Sequence, residues 1–367
     1  MAVSFTVPMR TERFFIGGDT LAKKTDDSAF QQLKADLKAK KPGRLYIFHG
    51  EEMFLHRYYL DQLRKQLVEE LTESFNFTRL NEETFQLQTF VDAVESFPMM
   101  AESTMVLVED VDLFKLPETE RSKIIEVFSD IPEYCTVVFS YETVAWKLDK
   151  RVKKLSDAIE KVATVVEFAK QSQRDLISWV QRHFAARGKQ IAPDLCAYLI
   201  DITGGTMTAL AGEIGKIASY SGAEHICKAD IDAVTEPVLD AVVFQMTDLL
   251  SQGNYGAALQ KLQTLLKMQE EPIAILGAVG GNFRRIATAR TLLDHGRPAA
   301  ELMKLCGMAD YVARKTMDAA RRYSPQFCAR ASQLVVDTDY KMKTSFDEKE
   351  RLLELLILQL AQEASHG

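Results

Sequence analysis

The sequence predicts an α/β domain with a parallel sheet, followed by a region made only of helices. In the first part of the chain, short apolar runs alternate with stretches whose apolar residues recur every three or four positions. Such alternation is typical of parallel strands joined by helices, because a parallel sheet is buried on both faces. Beyond residue 171 the helical spacing continues without further strand patterns. A length of 367 residues agrees with two or three domains.

Five apolar runs predict the strands of the first domain, at residues 45–48, 75–80, 105–108, 136–140 and 164–168. A short amphipathic helix begins at Ser28 and ends before Pro42 and Gly43. We therefore place this domain at residues 28–169. Residues 1–27 show no sustained period and are predicted to form a tail.

Glycines divide the helical region. Stop signals at Gly188, Gly204 and Gly222 separate short amphipathic helices, which predicts a small helical domain at residues 170–237. Longer helices follow, and they define a last domain at residues 238–367, large enough for an assembly platform.

Composition excludes several classes of function. The chain has 45 basic and 52 acidic residues, so it is not an electrostatic nucleic-acid binder as a whole, although local basic clusters remain candidates. Its five cysteines are scattered without CxxC pairs, which predicts neither a disulfide framework nor a zinc site. No signal peptide or apolar run of about 20 residues is found, so we expect a soluble, cytoplasmic protein without a membrane partner.

The turn after the first strand lies where a nucleotide-binding loop would be expected. A P-loop needs GxxxxGK[ST], whose amides and lysine hold phosphates. Here the chain reads His49-Gly50-Glu51-Glu52, with no lysine and with two carboxylates that would repel phosphate. The histidines also show no HExxH spacing. The isolated chain is therefore predicted to have no catalytic residues, metal or cofactor.

A helix, a stop and a strand at residues 86–111 form the first candidate site. The apolar face of the helix ends at Phe97 and Pro98, and Met99 and Met100 follow outside that face. Flexible thioethers suit an adaptable protein-binding surface. The alternative, favoured by chemistry alone, is that both methionines fill a gap in the core. The acidic Glu109 and Asp110 at the end of this strand superficially resemble an ATPase metal-binding strand, but without a phosphate-binding lysine we interpret them as a solvated strand end.

Five basic residues crowd into eight positions after Trp146: Lys147, Lys150, Arg151, Lys153 and Lys154. Such a cluster fits DNA phosphates or an acidic partner, and a solvated helix face is the equal alternative.

The order of elements over residues 28–362 resembles the delta subunit family of bacterial DNA polymerase III, the clamp-loader subunit that opens the sliding clamp. The motifs that carry this resemblance are Tyr-Ile-Phe-His-Gly-Glu-Glu at 46–52, Phe-Pro-Met-Met-Ala at 97–101, Leu-Asp-Lys-Arg at 148–151 with Lys-Lys at 153–154, Leu-Ala-Gly-Glu-Ile-Gly-Lys-Ile at 210–217, Val-Phe-Gln-Met at 243–246 and Asp-Tyr-Lys-Met-Lys at 339–343.

The resemblance implies an AAA+-like first domain without a P-loop or ATPase activity, a helical lid and a helical collar. It implies a component of a DNA-directed DNA polymerase (nucleotidyltransferase) holoenzyme that acts in replication. The implied partners are the sliding clamp (beta), the gamma/tau and delta prime subunits through the collar, and primed DNA in the assembled complex. The family's clamp-binding pair falls on Met99 and Met100, beside Phe97, and departs from the usual Leu-Phe pair by lacking the aromatic residue.

The resemblance also implies DNA contacts, for which the candidates are Lys150, Arg151, Lys153, Lys154, Lys341, Lys343 and Phe346. Phe346 lies between two predicted helices, where stacking on a base and a hydrophobic staple for the last helix are alternatives. Two other functions remain open: an active AAA+ ATPase of the same fold, and a helical scaffold unrelated to replication.

Overall fold

The structure is a computed structural model that describes residues 27–366. The predicted tail at residues 1–27 lies outside the described residues, apart from its last position. The chain divides into two compact units, of which one ends at Gln171 and the other begins at Ser172.

The first unit contains a five-stranded sheet in which every neighbouring pair of strands is parallel, in the order β2-β3-β4-β1-β5. The strands are β1 Leu45–His49, β2 Phe77–Asn81, β3 Thr104–Glu109, β4 Cys135–Ser140 and β5 Thr164–Glu167. Side chains of β1, β3 and β4 are buried almost throughout, because helices cover both faces. The predicted fold class, a parallel-sheet domain followed by helices, is confirmed.

The helices of the first unit are α1 Asp27–Ala39, α2 Met53–Leu67, α3 Glu73–Asn76, α4 Leu87–Glu95, α5 Glu118–Ser129 and α6 Lys153–Val162. Two predictions are wrong in this region. The apolar spacing of Tyr58, Leu60, Leu63, Leu67 and Leu71 predicts one helix through Leu71. Helix α2 instead ends at Leu67, and Leu71 belongs to a separate 3-10 turn, Glu70–Thr72. Strand β2 starts at Phe77 rather than at Phe75, because α3 occupies the preceding residues.

Most of the basic stretch after Trp146 is not helical. Residues 146–152 form an irregular loop, and α6 begins only at Lys153. The alternative of a solvated helix face is therefore wrong for most of this stretch.

The second unit is wholly helical in the part of the chain that the structure describes. Its helices are α7 Gln173–Ala185, α8 Pro193–Ile202, α9 Met207–Tyr220, α10 Lys228–Val234, α11 Leu239–Ser251, α12 Tyr255–Lys267, α13 Pro272–Asp294, α14 Ala299–Cys306, α15 Asp310–Ala320, α16 Pro325–Thr344 and α17 Lys349–His366. Their ends follow the glycine and proline signals of the sequence, as at the left-handed Gly307 after α14.

A small buried polar network orders the core of the second unit. The amide of Asn282 on α13 donates to the Thr247 hydroxyl on α11 at 2.6 Å, and the Tyr323 hydroxyl donates to the Thr247 carbonyl at 2.6 Å. All three side chains lie in an otherwise apolar core. Because a buried polar group without a partner is costly, this network favours one packing of these helices.

Within residues 27–366, no single helix is long and apolar enough to cross a membrane. Helices α8 and α9 meet that criterion of length and composition only when taken together, and they meet at a bend of 118°. The same range holds no group of three or more His, Cys, Asp and Glu side chains placed to bind a metal ion.

Two glycines of α13 provide a matched pair for testing helix packing. A Cβ added at Gly280 would lie 2.9 Å from the Cγ1 atom of Val335 on α16, whereas a Cβ at Gly277 meets nothing within 4 Å. We expect Gly280→Ala to lower the free energy of unfolding by about 1 kcal/mol, because the overpacking outweighs the gain in helix propensity. Gly277→Ala should raise it by about 0.5 to 1 kcal/mol. Urea denaturation measures both, and equal effects would contradict this close contact.

Candidate functional site

The corner between α4 and β3 presents large apolar side chains to solvent. Helix α4 ends at Glu95, and the irregular segment before β3 contains Phe97, Met99 and Met100. Their exposed fractions are 77%, 54% and 91%. The alternative in which the two methionines fill a core gap is therefore wrong.

A buried asparagine holds the backbone of this corner. The Asn76 side chain accepts a hydrogen bond from the Met99 N–H at 2.8 Å and donates one to the Met99 carbonyl at 2.9 Å. It donates another to the Thr72 carbonyl at 3.2 Å. Because one side chain pairs both the N–H and the carbonyl of Met99, the backbone of the corner is held in place although its side chains are exposed. They also support Met100 in a left-handed conformation, with φ of 54°, which is unfavourable for methionine.

Further contacts fix the two ends of the corner. The Ser103 hydroxyl donates to the Leu67 carbonyl at the end of α2, at 2.7 Å. On the other side the Tyr134 hydroxyl donates to the Glu95 carbonyl at 3.0 Å, and its ring lies 5.3 Å from the ring of Phe97. The corner is thus attached to three neighbouring elements of the first unit.

A second exposed apolar segment is joined to the corner through Asn76. Leu71 is 94% exposed and Phe75 is 61% exposed, in the turn and the short helix that lead to Asn76. Neither residue is a candidate from the sequence, because Leu71 continues the apolar spacing of α2 and Phe75 lies in a predicted strand. The sequence signal that could have indicated their exposure is that both apolar residues lie among glutamates, at residues 69–75. Leu71, Phe75, Phe97, Met99 and Met100 are here called the corner surface.

Carboxylates accompany this apolar surface. Glu69, Glu70, Glu95 and Glu102 are exposed at positions next to its members in the chain. Glu69 and Glu102 also line a hollow together with Met100. A cluster of exposed apolar side chains beside acidic groups is typical of a protein-interaction site rather than of a small-molecule pocket.

Backbone and side-chain groups of the protein itself pair the polar groups of the turn after β1. The Glu52 N–H donates to the Phe168 carbonyl at 2.9 Å, and the Phe168 N–H donates to the His49 carbonyl at 2.7 Å. The Glu52 carboxylate accepts the Phe54 N–H at 3.3 Å. Gly50 permits this approach, because its φ is 125° and a Cβ there would lie 2.4 Å from the Phe168 carbonyl oxygen. The chain's own acceptors thus occupy amides that would hold phosphate in a P-loop.

Behind this turn lies a fully buried histidine, His56. Its Nε2 atom and the Ser140 hydroxyl are hydrogen-bonded at 2.8 Å, and its ring stacks on Phe168 at 5.2 Å. The Nδ1 atom is buried and has no hydrogen-bond partner. Burial lowers the pKa of His56 to about 4, so the folded protein holds a neutral imidazole here.

The carboxylates after β3 are both engaged within the protein. Asp110 accepts hydrogen bonds from the N–H groups of residues 142–144 and from the Thr143 hydroxyl. Burial acts to raise the pKa of Asp110, but these bonds together hold it below its usual value. Glu109 forms a bidentate pair with Arg79, at 2.5 and 2.9 Å. Both carboxylates remain partly exposed, so the strand end is solvated as well as paired within the protein.

The DNA-contact candidates fall into two groups, one in each unit. In the first unit Lys150, Arg151, Lys153 and Lys154 are exposed, and Arg151 pairs with Asp149 at 2.7 Å. In the second unit Lys343 pairs with Asp339 at 2.7 Å, on the last turns of α16.

Phe346 follows α16 with its side chain fully exposed. A hydrophobic staple requires contact with the next helix, so that alternative is wrong.

Two family models match this chain. The model described as "DNA polymerase III, delta subunit" matches residues 46–169, and that described as "DNA polymerase III delta subunit, C-terminal domain" matches residues 240–360. DNA polymerase III subunit delta of Bacillus subtilis is 26% identical over 330 residues, which cover 88% of this chain and 94% of the relative. The probable DNA polymerase III subunit delta of Aquifex aeolicus is 23% identical over 289 residues, 77% of this chain and 81% of the relative.

A solved structure has the same fold over most of the chain. The DNA clamp loader delta protein of Bacillus subtilis superposes with a TM-score of 0.59, over 91% of this chain and 99% of its own, at 24% identity. The parallel-sheet unit and the helical unit are each matched by a model of the DNA polymerase III delta subunit. The chain belongs to the DNA polymerase III delta subunit family.

The anchoring of the corner by Asn76 is directly testable. Asn76→Ala leaves the N–H and carbonyl of Met99 without these partners, so we expect a loss of roughly 1 to 3 kcal/mol in the free energy of unfolding. Hydrogen exchange at the Met99 amide should accelerate more than exchange at Val106 in β3, which reports only the global loss of stability. Gln88→Ala, which removes an exposed amide paired only with Asp92 in its own helix, is the control. Unchanged exchange at Met99 would show that other contacts hold the corner.

The buried His56 predicts a pH dependence of stability. Because its pKa falls from 6.5 to about 4 on folding, the unfolded chain binds the proton more readily. Stability should therefore decline as the pH drops below about 6.5, with a loss of about 1 kcal/mol between about pH 7 and pH 5.5. Urea denaturation at the two pH values should show a smaller difference in His56→Phe. His295→Gln, at an exposed histidine, should retain the wild-type difference.

Proposed function

We propose that this delta-family chain binds the sliding clamp through the corner surface and favours an opened clamp interface for loading onto primed DNA. The observation that carries the proposal is the exposure of Met99 and Met100 on a backbone that Asn76 holds rigid. A preformed apolar surface loses little conformational freedom on binding, so more of the burial energy contributes to affinity.

The chemistry of the corner surface specifies its partner. Exposed methionines and aromatic rings fit an apolar pocket, and the neighbouring glutamates fit a basic rim around that pocket. Burying the two methionines contributes roughly 3 to 6 kcal/mol before ordering costs. Leu71 and Phe75 enlarge the contact beyond the pair that the family resemblance implies.

The role proposed for the chain is mechanical rather than catalytic. In the turn after β1, the Phe168 carbonyl and the Glu52 carboxylate accept hydrogen bonds from backbone amides that would bind phosphate in a P-loop. This pairing argues against the alternative of an active ATPase. ATP binding by partner subunits would then control whether the corner surface is exposed.

The division of the chain follows the same proposal. Residues 28–169 bind the clamp, residues 170–237 form the lid, and residues 238–367 form the collar that joins the gamma/tau and delta prime subunits. Exposed apolar side chains on α16 and α17 support a collar interface: Val336, Tyr340, Leu355 and Leu358. A helical scaffold unrelated to replication, the remaining alternative, predicts no binding to a clamp.

The double variant Met99→Ala with Met100→Ala tests the clamp contact. We expect its dissociation constant for the sliding clamp to rise about 100-fold or more, because most of the buried apolar area is lost. Surface plasmon resonance with immobilised clamp measures the change. Leu71→Ala with Phe75→Ala should weaken binding less, because these residues extend the contact rather than centre it.

Leu305→Ala is the matched control, since Leu305 is a 63% exposed leucine on α14 of the second unit. It should leave clamp affinity unchanged. An unaltered affinity of the double methionine variant, in protein that melts like the wild type, would remove the proposed clamp contact.

A further inference from the structure

An aromatic cavity lies at the carboxyl ends of β3 and β4 in the first unit. It encloses about 460 Å³ and is lined in part by Phe114, Tyr141 and Trp146. The ring of Trp146 lies 4.9 Å from that of Tyr141 and 5.7 Å from that of Phe114. The corner surface does not include this cavity, because the corner precedes β3 and the cavity follows it.

The wall that carries Trp146 is held in place although it belongs to an irregular loop. The Asp110 carboxylate accepts the N–H groups at the start of this loop, including that of Val144 at 3.1 Å. The loop is closed at its other end by Ser156, whose hydroxyl donates to the Asp149 carbonyl at 2.8 Å. Trp146 is partly buried between these two anchors, so its ring is presented in a preformed cavity.

The rim of the cavity carries a net positive charge, because its two carboxylates are paired with basic side chains of the rim itself. Asp112 pairs with Lys115 at 3.2 Å, and Asp149 pairs with Arg151, so both lining carboxylates are neutralised. Lys147 lines the cavity and Lys150 follows two positions after Leu148, which also lines it. Both lysines are exposed, and neither forms an ion pair with any residue in the range that the structure describes.

We propose that this cavity binds an unpaired base of single-stranded DNA, stacked on Trp146, while Lys147 and Lys150 contact the flanking phosphates. Aromatic side chains bordered by lysines are the combination that single-stranded nucleic-acid sites use. An acidic peptide would satisfy the lysines but would leave the aromatic wall without a stacking partner. The proposal rests on the role in loading onto primed DNA that the proposed function gives the chain, and it is independent of the clamp contact.

The two tryptophans of the chain make the stacking measurable. Trp179 lies on α7 in the second unit, so Trp179→Phe in the full-length chain leaves Trp146 as the sole tryptophan. We expect titration with oligo(dT) of about 12 nucleotides to quench its fluorescence saturably at low salt.

Fluorescence anisotropy of labelled oligo(dT) gives the affinities. Trp146→Ala should weaken binding about tenfold, and Trp146→Phe should retain most of it, because a phenyl ring still stacks. Lys147→Ala with Lys150→Ala should weaken binding by a similar factor and reduce its salt dependence. Thermal melting and clamp binding of each variant report whether it is folded. If Trp146→Ala does not fold, the affinity of Trp146→Phe and the fluorescence quenching decide whether a base stacks on Trp146.

Three results would overturn the proposal: no binding of oligo(dT), binding without quenching that survives Trp146→Ala, or displacement by poly-glutamate as effectively as by unlabelled oligo(dT). Each of these outcomes with clamp binding intact would leave the proposed clamp function in place. Loss of clamp binding in the double methionine variant, conversely, says nothing about this cavity.

Discussion

Strand β3 is hydrogen-bonded on both sides, to β2 and to β4, and this interior position constrains the segments that directly precede and follow it. The corner surface leads into its amino end, and the aromatic cavity lies beyond its carboxyl end. Six residues of strand separate the two sites by about 20 Å. Because a paired, buried strand cannot shift its register without exposing its apolar residues, it is a rigid support for both sites.

In the first unit, the turns at the carboxyl ends of β1 and β3 are closed by the chain's own hydrogen-bonding groups. Phe168 backbone atoms approach Gly50, Glu52 caps the helix that follows, and Asp110 fastens a loop. The contacts of Phe168 and of Asp110 join segments far apart in the chain, whereas the Glu52 cap is local. Polar groups at the carboxyl ends of these strands therefore contribute to the stability of the fold.

The corner surface combines two features that oppose each other in most proteins. Exposed methionines and a left-handed Met100 are both unfavourable for the free chain. The hydrogen bonds of Asn76 offset that cost and keep the backbone in one conformation. An apolar surface whose backbone is already ordered loses little conformational entropy on binding, so it is suited to entering a pocket of a partner.

Local patterns in the sequence determined the five strands, most helix boundaries, the position of the Met99 corner and the missing P-loop lysine, because each depends on neighbours a few positions away. Tertiary structure alone decided which of these residues are exposed. Met99 lies outside the core because Asn76, 23 positions earlier, bonds its backbone. In the same way Phe346 is exposed rather than packed as a staple, and Trp146 meets Phe114 across a loop rather than along a helix. Periodicity reports the face of a helix or strand on which a residue lies, whereas burial depends on contacts between distant segments.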